Sequence, residues 1–156
     1  TERNRCRCAR CLEIVLLPQE IKTMTLEERI NQSVTRVCVT VFPFVTNHHD
    51  TLFGGKAMAI MDEVSFMAAT RFCRKRLVTV SSDKINFEKA IPSGSIIEAI
   101  ARVDSVGRTS VKVKVEIYLE SMYKDGRELA IQGMFTLVAL DDDKKPIPVL
   151  EGLDVD

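Results

Sequence analysis

The stretch Thr46-Asn47-His48-His49-Asp50-Thr51-Leu52-Phe53-Gly54-Gly55, with the mostly apolar run that follows it to Arg74, decides how the chain is read. Ala57, Met61, Val64, Met67, Ala68 and Phe72 recur at three- and four-residue spacing, and Met58 and Ile60 fill other faces, which predicts a helix apolar almost all round. Such a helix is buried in a core or wrapped by a sheet. Asp62 and Glu63 interrupt it in the middle. Aspartate has poor propensity for a helix interior, and burying it unpaired is costly, so it is kept there when it is paired or used. The competing reading is an ordinary ion pair with Lys56 or Arg71. Gly54 and Gly55 open the helix without side chains, where backbone N–H groups are free and a ligand can approach closely.

Working outward, the period changes from helical to alternating. Val34 to Phe42 is rich in Val and Thr and stops at Pro43, which predicts a first strand. After the helix come strand-length runs at Leu77–Phe87, Ile96–Val103, Val111–Ile117 and Leu129–Leu140, divided by turn signals at Pro92-Ser93-Gly94, Gly107-Arg108 and Asp125-Gly126. Val111 to Ile117 alternates strictly, as in an antiparallel strand with one wet face. The last run is apolar on both faces, so a central position is expected for it. Thr25 followed by Glu28 predicts a capping box on one short helix before the first strand. The expected architecture is α+β, a five-stranded antiparallel sheet wrapped around one long central helix over residues 34–149. Residues 1–33 read as an N-terminal arm and 150–156 as a tail, with the chain expected to be loose after Asp141-Asp142-Asp143. Nothing in the pattern covers the second sheet face, and another copy of the chain is the expected cover.

Composition narrows the classes of function. Lys+Arg and Asp+Glu both number 22 in 156 residues, so no global field draws nucleic acid or a membrane surface, and neither is expected as a partner. No run approaches the length of a membrane span, which leads to an expectation of a soluble, cytoplasmic protein. The five cysteines include Cys6, Cys8 and Cys11, an odd set unlike a secreted disulfide framework. That cluster lacks the fourth ligand a zinc site takes, so no metal is expected. The arm carries Arg3, Arg5, Arg7 and Arg10 and reads as a leader, a tag or residues upstream of a start at Met24.

Four motifs in order, Asn47-His48-His49-x-Thr51-Leu52-Phe53-Gly54-Gly55, Met61-Asp62-Glu63, Val78-Thr79-Val80 and Gly107-Arg108-Thr109-Ser110, resemble the single-domain hotdog-fold acyl-CoA thioesterases. The similarity runs from about Val34 to Val149. It departs at Asp50, where relatives commonly carry Gly and where a left-handed backbone suits Asp less well. The resemblance implies hydrolysis of fatty acyl-CoA to free acid and coenzyme A, with no cofactor besides the coenzyme A of the substrate. It implies assembly as hotdog dimers, often as a trimer of dimers, forming a hexamer.

The resemblance also implies roles. Asp62 is the catalytic base or nucleophile. Asn47, whose family counterpart lies across the subunit interface from that carboxylate, positions water or the carbonyl, against the plainer reading of a turn side chain bonding its own backbone. From the free N–H groups and dipole of the helix start rather than from the resemblance, Gly55 N–H is the candidate oxyanion donor with Gly54 beside it, against the plainer reading of a turn glycine pair. Arg108, Thr109 and Ser110 meet the phosphates of coenzyme A, for which the Arg fork is suited. His48 reads as a turn and ligand-contact residue, since adjacent histidines in a turn point apart. Thr79 is a candidate for the acyl site, against the plainer reading of a hydroxyl bonding its sheet neighbours. Lys112 and Lys114 extend the positive edge or form a solvated row. An acyl-CoA-binding sensor without turnover is the competing function, though a sensor has no need of Asp62. A dehydratase would want a histidine and an acid set for proton transfer on carbon.

Overall fold

The structure, a computed structural model, describes residues 24–151. Its first element is the one the capping box predicts. Helix α1 (Leu26–Ser33) begins where the Thr25 hydroxyl accepts from Glu28 N–H at 3.2 Å and the Glu28 carboxylate accepts from Thr25 N–H at 2.9 Å. Strand β1 (Thr35–Val41), a single 3₁₀ turn at Pro43–Val45, the long helix α2 (Gly54–Cys73) and strands β2 (Arg76–Phe87), β3 (Ser95–Val106), β4 (Ser110–Ser121) and β5 (Arg127–Leu140) follow. Among the described residues no helix is long and apolar enough to cross a membrane.

The strands form one antiparallel sheet in the order β1-β3-β4-β5-β2. The middle strand is β4. The expectation of a central β5 is corrected to an internal one, between β4 and β2. Its second apolar face, with Met134 and Val138, is only half-buried, which an internal strand near an edge allows. The strict alternation of β4 is seen as buried Val111, Val113, Val115 and Ile117 against partly or fully exposed Lys112, Lys114 and Glu116. Those valines pack with Met61, Val64, Ala68 and Phe72 of α2 in one core. Helix α2 ends where Arg74 turns left-handed at φ 54° and donates its N–H to the Thr70 carbonyl.

Two ends differ from expectation. Helix α1 is docked on α2: Arg29 donates to the Phe72 carbonyl, and Arg71 donates to the carbonyls of Gln32 and Val34. The rest of the arm, with Cys6, Cys8 and Cys11, lies outside the described residues. The segment after Asp141 is not loose as far as Leu150. Ile147 N–H donates to Ala139 O, Val149 N–H donates to Arg108 O, and Val149 is fully buried. Ile147 and Val149 alternate like strand residues, Val149 buried and Ile147 partly buried against the core, while the acidic run only makes the turn, in which Asp141 accepts from Lys145 N–H.

Gly133 of β5 lies under a bulge of β2, between Asp83 and Asn86, where Lys84 has φ 52°. A Cβ at Gly133 would lie 2.9 Å from Ile85 Cγ1 and 3.0 Å from Met61 Cε, so helix and bulge close over a missing side chain. Gly133→Ala is expected to destabilise by about 1–3 kcal/mol through overpacking. Chemical denaturation measures it, and an unchanged midpoint would mean that Ile85 and Met61 shift without cost.

Candidate active site

The polar turn before α2 is built by Asn47. Its Oδ1 accepts from His49 N–H (2.9 Å), Thr51 N–H (3.3 Å) and the Thr51 hydroxyl (3.1 Å), and its backbone N–H donates to Thr51 O. The side-chain oxygen is therefore spent on the turn, and among the described residues its N–H₂ has no partner. Asp50 stands at φ 55°, the left-handed conformation that Gly would adopt freely, with its N–H donating to Asn47 O and its carbonyl accepting from Ser93. The expectation that His48 and His49 point apart is corrected: their rings lie against each other, 3.8 Å apart and tilted by 42°, in this exposed turn.

The helix start has no side-chain cap: Phe53 is the N-cap, and its carbonyl accepts from Lys56 and Ala57. Gly54 and Gly55 N–H are then the donors left without a carbonyl among the described residues. Two aromatic rings flank them. A Cβ on Gly55 would meet the Phe53 ring at 3.2 Å, and one on Gly54 would meet the Phe87 ring at 3.7 Å. A cleft of about 350 Å³ opens beside Gly54, with Asn47, Thr51 and Lys89 among its polar groups and Leu52, Phe87, Ile91 and Ile131 among its apolar ones. His48 does not line it.

Helix α2 is not buried all round as its apolar run suggests: Asp62, two turns further along, is exposed, and it accepts a hydrogen bond of 2.7 Å from the Thr79 hydroxyl to its Oδ1. Strand β2 carries a register shift between Thr79 and Ser81 at this point. The Thr79 hydroxyl thus serves the helix carboxylate, where sequence reasoning favoured its sheet neighbours. An ion pair of Asp62 with Lys56 or Arg71 does not form among the described residues, and Arg71 is occupied at the junction of α1 and β1. Met58 and Phe66, one turn to either side of Asp62 on the same stripe, are 41% and 43% exposed, and Val80 beside Thr79 is 55% exposed. The carboxylate therefore sits in an uncovered apolar face. Within one chain it is remote from the glycine donors: eight residues at 1.5 Å rise put it roughly 12 Å from Gly54 along the axis.

The Gly107-Arg108-Thr109-Ser110 turn is fixed by backbone. Gly107 N–H donates to Ser110 O, the Thr109 carbonyl accepts from Ala139, and the Arg108 carbonyl accepts from Val149. The Arg108 side chain is exposed and makes no ion pair among the described residues. Lys114 is taken by Glu116 at 2.8 Å, a hydrogen bond that pushes the lysine above its ordinary pKa; β4 is the middle strand, so these lysines guard no sheet edge, and Arg108 and Lys112 are the cations of this turn and strand without an ion pair among the described residues.

A long helix wrapped by a five-stranded antiparallel sheet is the hotdog architecture. The family model described as thioesterase superfamily matches residues 49–125. An uncharacterized acyl-CoA thioester hydrolase of Bacillus subtilis is 41% identical over 109 residues, 70% of this chain and 63% of that protein. The aligned region thus spans less than two thirds of that relative's length. A second acyl-CoA thioester hydrolase, of Zymomonas mobilis, is 36% identical over 111 residues, 71% of this chain and 74% of that protein. Among solved structures, the acyl-CoA hydrolase of Staphylococcus aureus, in complex with butyryl coenzyme A and coenzyme A, superimposes with a TM-score of 0.73 at 36% identity, covering 76% of this chain and 73% of that one. Alanine variants of the Staphylococcus aureus enzyme at an Asn, an Asp and a Thr are also solved, at positions separated in that order by 15 and 17 residues. A hexameric acyl-CoA thioesterase superimposes with a TM-score of 0.74 at 33% identity, covering 76% of each chain. The chain belongs to the thioesterase superfamily.

Proposed function

We propose that the protein is an acyl-CoA thioesterase whose site is shared between two copies of the chain. The observation that carries this reading is the 2.7 Å bond from Thr79 to Asp62, which orients a carboxylate in an exposed apolar face. Support comes from spacing: Asn47, Asp62 and Thr79 follow one another at the separations of the three residues varied in the Staphylococcus aureus enzyme. A two-fold axis beside α2 brings the helix start of one copy toward the Asp62 of the other, which resolves the roughly 12 Å separation within one chain. It also covers Met58, Phe66 and Val80.

In the shared site the thioester carbonyl accepts from Gly55 N–H, with Gly54 beside it, at the positive end of the α2 dipole. Asp62 removes a proton from water as the water oxygen bonds to the carbonyl carbon, or itself attacks to give a mixed anhydride that water then cleaves, releasing the acid and restoring the carboxylate. Negative charge passes to the carbonyl oxygen and then to the departing sulfur of coenzyme A. Thr79 holds the carboxylate, and the free Asn47 amide donates to the water or carbonyl. Arg108, with Thr109 and Ser110, receives phosphate. His48 contacts the ligand from the turn. Assembly as a dimer, and as a hexamer of three dimers, follows the likeness to the hexameric relative; a cytoplasmic setting fits coenzyme A chemistry.

Free thiol released from a panel of acyl-CoAs tests the reading directly, and no release across short and long chains would return the protein to the binding class. Arg108→Ala is expected to raise KM about tenfold with kcat within twofold, because phosphate is held alike in ground and transition states, and losing one charged hydrogen bond costs about 1.5–3 kcal/mol before solvent screening. Steady-state kinetics decide it, and a loss confined to kcat would remove Arg108 from phosphate binding.

A further inference from the structure

The cleft beside Gly54 is small, has an apolar wall facing the core and a polar side of Asn47, Thr51 and Lys89, and is joined to the helix donors. Ile91 and Ile131 are each 2% exposed and Leu52 is 9% exposed, so its inner wall belongs to the core, while the Phe87 ring is about half exposed and stands over Gly54. The wall is pinned: Glu88 and Lys89 N–H both donate to Ala130 O, Gln132 donates to the Glu88 carboxylate, and Lys89 pairs with Glu128. A fixed recess with an apolar wall of Leu52, Ile91 and Ile131, next to the donors proposed for a thioester oxygen, is suited to the hydrocarbon on the acyl side of that thioester. Its volume of about 350 Å³ is at the lower end for ligand pockets, enough for a tail and too little for the whole of an acyl-CoA.

We infer that this cleft receives the acyl tail and that Phe87 sets the chain length at which it is full, which makes short- to medium-chain acyl-CoAs the preferred substrates. The inference rests on the thioesterase reading for the position of the carbonyl. Phe87 and Ala90 both line the cleft and both are exposed, so the two positions change its capacity in opposite directions without entering the core.

The test is a series of non-hydrolysable alkyl-CoA thioethers from two to sixteen carbons (roughly the span of common acyl groups, each methylene adding a fixed increment of burial), titrated by calorimetry into the full-length protein, Phe87→Ala and Ala90→Phe. In the unsubstituted protein each added carbon is expected to tighten binding about fourfold until the cleft is full, after which the gain stops. Phe87→Ala should move that break to longer chains and Ala90→Phe to shorter ones, with coenzyme A itself binding unchanged. Breaks that stay put in both variants, with melting temperatures showing both folded, would overturn the inference and leave the thioesterase reading standing. Breaks that move as expected in a protein releasing no thiol from any acyl-CoA would uphold the tail site and remove the enzymatic function instead.

Discussion

Asp62→Asn is expected to lower kcat for acyl-CoA hydrolysis by about 10²–10⁴-fold, the usual contribution of a positioned general base. The substitution isolates charge. Asparagine keeps the volume, has a similar helix propensity, and still offers an oxygen to the Thr79 hydroxyl that now donates to Asp62 at 2.7 Å. Because the residue is exposed and lies outside the core, its stability change should stay within about 0.5 kcal/mol, and the melting curve is the control. Undiminished thiol release would end the proposed role of Asp62 and move attention to Glu63, the neighbouring exposed acid on α2.

The elements were legible because each has a local cause. The Thr25–Glu28 capping box, the alternation of Val111 to Ile117 and the hairpin at Asp125-Gly126 all appear as read. The start of α2 was less sharp, since Phe53 caps it without a side-chain hydrogen bond and so supplies no Ser, Thr, Asp or Asn signal. Strand order was not legible. Period-two patterning tells which face is buried and not which strand lies alongside, so nothing in β2 announces its pairing with β5 at the edge. The contact between Thr79 and Asp62 joins residues 17 apart across two elements, and its geometry depends on how a bulged strand meets a helix. The packed end of the chain could have been found in Ile147 and Val149, whose alternation carried more weight than the acidic run before them.

The strongest test of a shared site mixes two damaged proteins. Asn47→Ala and Asp62→Ala should each be nearly inactive alone, since each lesion falls in every site of a homodimer. In a mixed dimer the geometry proposed here concentrates both lesions in one site and leaves the other with the Asn47 of one copy and the Asp62 of its partner. Random reassortment of equal amounts makes about half the dimers mixed, each with one working site of two, so co-refolding should restore about a quarter of wild-type thiol release by the symmetry of an isologous pair. Mixing after separate refolding should restore none unless subunits exchange. Asn47→Ala also removes the acceptor for three turn hydrogen bonds, from His49 and from the N–H and hydroxyl of Thr51, so loosening of the turn is expected along with loss of the free amide. That loosening stays in the copy that carries it, and the intact site draws its helix start from the other copy, so recovery is still expected. If mass spectrometry finds mixed dimers and activity does not return, Asn47 and Asp62 act within one chain, and the roughly 12 Å of helix between Gly54 and Asp62 must be spanned by the substrate itself.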